Sequence, residues 1–91
     1  GVLRAAAKGK GNFGLGSGTR AEAERIGKAW VGKGHKVASD GKTLISKDGL
    51  RQYRPPSYKP NLDKTQANFE RRFPGQRSHQ WQSNGHFNIT D

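Results

Sequence analysis

Cysteine, acidic residues and hydrophobic residues are all scarce in this chain. None of its 91 residues is cysteine, which excludes disulfides and Cys-based zinc sites. Only 30% of the residues are hydrophobic, so we expect one small domain with a thin core. No apolar run approaches the length of a transmembrane helix and no signal peptide is recognisable, so we expect no membrane anchoring by this segment.

The shortage of acidic residues leaves the chain strongly basic. Seven Asp and Glu residues oppose 17 Lys and Arg residues, which gives a formal charge of +10 and a pI of about 10.6. Such an excess favours a polyanionic partner, with nucleic acid as the first candidate. An anionic membrane is second, because the chain has no basic amphipathic helix with a bulky apolar face.

The few carboxylates are also scattered. Metal-dependent nucleases hold Mg²⁺ with clustered carboxylates, and no carboxylate-x-carboxylate-x-lysine pattern occurs here. His79 and His86 have no obvious third zinc ligand near them. We therefore expect neither a metal site nor another cofactor.

Residues 1–18 have the composition of a linker, since six of the eighteen are glycine. We predict a flexible glycine-rich linker here, joined to a preceding region because the chain begins on Gly1 rather than Met. Phe13 and Leu15 can anchor it to the functional domain, which we place at residues 19–91.

The first firm element is a helix over residues 20–31. T-R-A-E at Thr19 is a capping-box pattern, apolar residues follow at helical spacing, and Gly32 and Gly34 end the run. A period of two follows, and two Asp-Gly pairs predict type I′ hairpin turns. Pro55 and Pro56 are expected to end the third strand, with loops at 57–65 and 72–85. The predicted strands are residues 35–39, 42–46, 50–54, 66–71 and 86–90.

These elements predict an α+β fold, with an N-terminal helix packed on a four- to five-stranded antiparallel sheet. Ile26 and Trp30 of the helix should cover one sheet face and leave the other face polar and basic. Within the third strand, Arg51 and Tyr53 should share one face, and Gln52 and Arg54 the other.

The residue types on this sheet are sufficient for RNA cleavage without a metal. A base takes the 2′-hydroxyl proton, an acid protonates the 5′-oxygen, and cations meet the charge on phosphate. His86 is the strongest candidate for proton transfer, although it can also be an ordinary surface histidine after a turn. His35 is expected to have no specific role. The predicted catalytic residues are His86, Arg51, Arg54, Tyr53 and Lys59.

Further basic, polar and aromatic residues are candidates for binding nucleic acid through phosphate contacts and stacking. Trp81 is either a core residue or a stacking platform, and the thin core favours the first. The segment 49–60 itself has two interpretations, an RNA-binding stretch or an edge strand guarded by charge and proline. The predicted nucleic-acid-binding residues are Tyr58, Lys64, Asn68, Arg71, Arg72, Arg77, His79 and Trp81.

Three short segments of the sequence resemble motifs of a known protein family. A-W-V-G at 29–32, D-G-L-R-Q-Y-R-P-P-S-Y-K-P at 48–60 and Q-A-N-F-E at 66–70 resemble the C-terminal toxin domains of bacterial polymorphic toxins, including CdiA-type effectors of contact-dependent growth inhibition. The resemblance runs from about Gly14 to the C-terminus.

The resemblance implies an exported antibacterial ribonuclease of the barnase–EndoU–colicin–RelE type. Such a toxin travels on a larger surface or secreted effector, acts in the target-cell cytoplasm, and is neutralised by a cognate immunity protein that we expect to be acidic. The implied reaction is cleavage of RNA without a metal, in which the 2′-hydroxyl attacks and a cyclic phosphate forms. The expected RNA is tRNA. A host factor in the target cell is a further implied partner. The alternatives are a non-catalytic RNA-binding module and, less favoured, a metal-dependent DNase toxin.

Overall fold

The computed structural model describes residues 1–75 and 81–91 of the chain. Within these ranges two helices and six strands follow one another. Their bounds are α1 (Val2–Lys8), β1 (Gly11–Gly18), α2 (Arg20–Val31), β2 (Lys36–Val37), β3 (Leu44–Ile45), β4 (Arg51–Lys59), β5 (Lys64–Arg71) and β6 (Ser83–Ile89). In the described part of the chain, no helix is long and apolar enough to cross a membrane.

The six strands form a single mixed sheet in the order β1-β6-β5-β4-β3-β2. β1 runs parallel to β6, and every other neighbouring pair is antiparallel. The predicted α+β class, with a helix on a sheet, is confirmed. The sheet has six strands where four or five were predicted, and the additional strand is β1, which lies at the edge and runs parallel to β6.

The flexible linker predicted for residues 1–18 is wrong as a description of their local structure, because α1 and β1 lie there. Ala6 is fully buried and Leu15 is 9% exposed, so this segment contributes to the core. Leu15 fits because Gly85 on the neighbouring strand has no side chain. A Cβ at position 85 would lie 2.5 Å from Leu15 Cδ1. Glycine here permits close packing between strands, which composition alone does not reveal.

Helix α2 is confirmed with the predicted bounds. The Thr19 hydroxyl accepts from the Glu22 amide at 3.1 Å, and the Glu22 carboxylate accepts from the Thr19 amide at 3.0 Å. The helix ends at Gly32, whose φ of 72° suits a residue without a side chain. Near this end, Trp30 Nε1 donates to Gln52 O at 3.1 Å and Glu70 O at 3.3 Å, which holds α2 across β4 and β5.

Aromatic rings fill the space between α2 and the sheet. Phe69 lies at their centre, with its ring centroid 5.1 Å from that of Tyr53 and 6.2 Å from that of Trp30. The Tyr53 ring packs against Gly27, where an added Cβ would come within 2.5 Å of it. The centre of this face of the sheet is therefore occupied by core.

The two Asp-Gly turns form, but not as type I′ turns. That type needs positive φ at both central residues, and here Gly41 and Gly49 have φ of 76° while Asp40 and Asp48 do not have positive φ. Instead each carboxylate accepts from backbone amides that follow it. The hydrogen bond from the Thr43 hydroxyl is the main reason that the pKa of Asp40 falls to about 2.

Strand β4 does not end at the prolines, which corrects the predicted strand end. It continues to Lys59, with Arg54 opposite Asn68 and Ser57 opposite Gln66. Three residues along β4 therefore span the same length of the sheet as two residues along β5, which makes a β-bulge in β4. Pro55 and Pro56 lie in this bulge. A bulge tolerates residues that lack an N–H. Strands β5 and β6 also begin earlier than predicted, at Lys64 and Ser83, and the predicted 57–65 loop is reduced accordingly.

Candidate functional site

The sheet face opposite the core carries the candidate site, and we call it the open face. Within residues 1–75 and 81–91, both helices pack on the other side of the sheet. Alternation along β4, β5 and β6 gives the open face a polar surface. Its central residues are Gln52, Arg54, Gln66, Asn68, Glu70, Asn84, His86 and Asn88.

His86 lies at the middle of this face between two asparagines. Asn68 Nδ2 is 3.0 Å from His86 Nδ1, and His86 Nε2 is 3.3 Å from Asn12 Oδ1. In the neutral ring, Nδ1 can accept from Asn68 while Nε2–H donates to Asn12, so the roles of the two nitrogens depend on the tautomer. Burial, Lys59 and Arg54 lower the pKa of His86, in that order of importance. The ring is thus held in a fixed orientation within a positive field.

Glu70 is the functional candidate that sequence reasoning missed. It is 5% exposed, and its Oε1 accepts from Arg54 Nε at 2.7 Å and from Gln52 Nε2 at 2.9 Å. The available signal was the alternation in Q-A-N-F-E: with Ala67 and Phe69 in the core, Asn68 and Glu70 must point to the other face. A nearly buried carboxylate is rare unless it is paired, and here its partner is Arg54.

The strand register brings these groups together. Asn68 on β5 is directly opposite His86 on β6 and Arg54 on β4. Glu70 is therefore the diagonal neighbour of His86, a relation in which Cα atoms lie about 7–8 Å apart. Two ionisable side chains, Glu70 and His86, thus share one face of the sheet.

Lys59 joins the site because of the proline bulge. Positions 54 and 59 are an odd number of residues apart and would face opposite sides of a regular strand. The extra residue in the bulge places both side chains on the open face, where they line a cavity of about 310 Å³ with His86. The turn residues Pro60–Leu62 close one end of this cavity. Burial and the neighbouring Arg54 lower the pKa of Lys59.

Two further predicted residues lie at this end of the sheet. Lys64 is opposite Lys59 in the ladder and is exposed, so it extends the positive surface. Tyr58 is 58% exposed, and its hydroxyl donates to Asp63 Oδ1 at 2.6 Å. This hydrogen bond raises the pKa of Tyr58.

Arg51 and Tyr53 do not reach the site, which corrects their predicted placement. Both lie on the helix-covered face, as the alternation within β4 implied. The Arg51 guanidinium stacks 4.2 Å from the centre of the Trp30 ring. Tyr53 is 1% exposed, and burial raises its pKa to about 12. Both side chains therefore support the core.

The remaining predicted cations lie near the start of β6. Arg71 donates to Gly9 O at 3.4 Å, and Arg72 donates from Nε to Gly49 O at 3.0 Å. The Arg72 guanidinium also stacks 5.0 Å from the half-buried ring of Trp81, so Trp81 packs beside an arginine rather than in the core cluster. Arg77 and His79 lie outside the described residues.

Among the described residues, no group of three or more His, Asp and Glu side chains is placed to hold a metal ion. Comparison with known proteins finds no family model, no curated protein and no solved structure that matches this chain.

Proposed function

We propose that this chain is a metal-independent endoribonuclease whose active site is the open face. One observation carries the proposal: Glu70 and His86 are diagonal neighbours, with Arg54 and Lys59 beside them. A base, an acid and two cations on one face of the sheet are the groups that transfer of a phosphoryl group to the 2′-oxygen requires.

In this proposal Glu70 is the general base. Its carboxylate takes the proton of the 2′-hydroxyl, whose oxygen attacks phosphorus and forms the 2′,3′-cyclic phosphate. The hydrogen bonds from Arg54 and Gln52 orient the carboxylate. Because RNA supplies the nucleophile, DNA is not a substrate.

His86 is the general acid in its protonated form. As the bond from phosphorus to the 5′-oxygen breaks, the imidazolium gives its proton to that oxygen, which leaves as a hydroxyl. A lowered pKa makes the imidazolium a stronger acid. Asn68 and Asn12 contact both ring nitrogens and fix the ring plane. Arg54 and Lys59 stabilise the charge that develops on the phosphate oxygens.

The biological setting remains a proposal based on the resemblance described above. It is that of an exported antibacterial toxin domain that cleaves RNA, with tRNA as the favoured substrate, in the target cell. A cognate acidic immunity protein would complement the positive open face, where Arg54, Lys59 and Lys64 lie close together.

The decisive assay incubates the protein with total RNA and with plasmid DNA, each with and without EDTA. Cleavage of RNA alone, unaffected by EDTA and leaving a 2′,3′-cyclic phosphate, is the expected result. Cleavage that EDTA abolishes would overturn the proposal in favour of a metal-dependent nuclease. RNA that stays uncut but binds tightly to the protein would indicate a non-catalytic RNA-binding module.

The roles of the two residues are tested by Glu70→Gln and His86→Ala. We expect each to lower kcat by about 10²-fold or more, the usual range for a proton-transferring group. His35→Ala is the matched control, because His35 is exposed and its Nδ1 contacts the backbone oxygen of Gly32, away from the open face. Activity of Glu70→Gln within a few-fold of wild type would remove Glu70 from the site, provided that circular dichroism shows a folded protein.

A further inference from the structure

A second cavity lies on the other side of the sheet, between α2 and strands β3 and β4. Its volume is about 440 Å³, within the range of small-molecule sites. It is separate from the open face, because Tyr53 lines it while the adjacent Arg54 lines the first cavity. Neither Glu70 nor His86 contributes to its wall.

The wall of this cavity contains a buried hydroxyl that lacks a partner. Tyr53 Oη has no hydrogen-bond partner within residues 1–75 and 81–91, although the residue is 1% exposed. Burying a hydroxyl without a partner costs about 1–3 kcal/mol, a penalty that phenylalanine would avoid. The neighbouring aromatic core positions 69 and 87 are phenylalanine. The hydroxyl at position 53 is thus a buried, unsatisfied donor in a residue that lines the cavity.

The rim of the cavity is positively charged. Arg20, Lys28 and Lys42 contribute three cations against the single carboxylate of Glu24. Glu24 forms an exposed ion pair with Lys28 at 3.3 Å. The charged groups of Arg20 and Lys42 make no hydrogen bond or ion pair with any residue that the structure describes. Two cations therefore remain to bind an anion.

The remaining wall is apolar and rigid. Leu44, Pro55 and Pro56 form it, and the two prolines are held in the bulge of β4. Flat, stiff apolar groups suit a base or a ribose, whereas the cationic rim suits a phosphate. A free carboxylate or an inorganic anion would leave this apolar wall unused.

We propose that this cavity binds a nucleotide, with its phosphate on Arg20 and Lys42 and an oxygen accepting from Tyr53 Oη. The nucleotide can be free in solution, or it can be one unit of an RNA strand. In either case the site is additional to the proposed catalytic face, and its existence does not depend on cleavage.

The test is a titration with AMP and, separately, with a 2′-O-methyl RNA oligonucleotide, which cannot undergo 2′-hydroxyl attack. Binding is followed by amide chemical shifts of the ¹⁵N-labelled protein. We expect AMP to shift resonances of α2 and β4 around this cavity. Shifts at the same positions with the oligonucleotide alone would also support the site and would identify its ligand as part of an RNA strand.

Tyr53→Phe and Lys42→Ala should each weaken this binding about tenfold, as expected for loss of one hydrogen bond to a charged group. Lys36→Ala on the neighbouring strand is the charge-matched control and should bind as wild type. The melting temperature of Tyr53→Phe should equal or exceed that of wild type, since the variant removes an unpaired hydroxyl.

Three results would overturn the proposal. They are the absence of shifts at this cavity with both ligands, affinities unchanged in both variants, or binding of an acidic peptide there in place of either ligand. None bears on the open face, because the proposed cleavage of total RNA by Glu70 and His86 is measured separately.

Discussion

Arg51 and Arg54 illustrate how position on a strand separates the roles of identical residues. They are three residues apart on β4, yet Arg51 stacks on the Trp30 ring while Arg54 forms an ion pair with Glu70. The first interaction connects the sheet to the end of α2. The second orients the proposed general base. Only Arg54 can therefore contact an RNA phosphate on the open face.

This contrast predicts opposite outcomes for two matched variants. Arg51→Ala should lower the free energy of unfolding by about 1 kcal/mol through loss of the cation–π contact, with kcat unchanged. Arg54→Ala should lower kcat by about 10²-fold, because a donor to the developing charge and the partner of Glu70 are both lost. Urea unfolding and single-turnover cleavage at a temperature where both variants are folded distinguish the two. Equal losses of kcat would contradict the assignment of the faces.

At the scale of elements, the proline bulge determines which face Lys59 occupies. One extra residue between Arg54 and Ser57 shifts the alternation of the rest of β4. If the same residues formed a regular strand without a bulge, Tyr58 rather than Lys59 would lie on the open face. The bulge therefore changes the chemistry of the site without contributing a functional group.

Insertion of one alanine between Ser57 and Tyr58 should turn Lys59 to the helix-covered face, because it reverses the alternation of the residues that follow. We expect cleavage to fall at least tenfold, since a cation is lost from the phosphate site. Deletion of Pro56 is the control, because it removes the bulge but leaves Arg54 and Lys59 four residues apart on the same face, and it should retain near wild-type activity. Wild-type kcat in the insertion variant would show that the alternation of β4 does not position Lys59.

The N-terminal segment provides a second prediction at this scale. If β1 is part of the domain, Leu15→Ala should lower the free energy of unfolding by about 2–3 kcal/mol, as for other buried leucines. Leu3→Ala in α1 is the matched control, since Leu3 is 39% exposed, and should cost less than about 1 kcal/mol. A flexible linker would make both changes silent in a thermal or urea unfolding experiment.

At the scale of the whole molecule, burial by the fold and two cations from one strand set the direction of the pKa shift of His86. The lowered pKa of His86 follows from burial first and then from Lys59 and Arg54. Its protonated form is thus less favoured in the folded chain than in the unfolded chain, where the pKa is about 6.5. The resulting contribution to stability is present above pH 6.5 and is lost as pH falls through the lower folded pKa.

The same effect predicts the pH dependence of cleavage. Because the proposed mechanism requires the acid form of His86, kcat/KM should fall with increasing pH through a midpoint below 6.5. Lys59→Gln should move that midpoint upward, since a cation that disfavours imidazolium is removed, even though the rate itself declines. Kinetic profiles and an NMR titration of the His86 ring provide the measurement. An unchanged midpoint would separate Lys59 from His86.

Local sequence was sufficient for the features that local interactions determine. The capping box at Thr19 predicted α2, the alternation in β4 predicted the opposite faces of Arg51 and Arg54, and His86 was identified as facing the polar side. Composition predicted the positive charge and the thin core. The tertiary structure decided the rest, because it depends on contacts between distant residues. β1 pairs in parallel with β6 more than sixty residues away, the bulge sets the register that brings in Lys59, and Glu70 becomes a site residue only when β4 and β6 flank it.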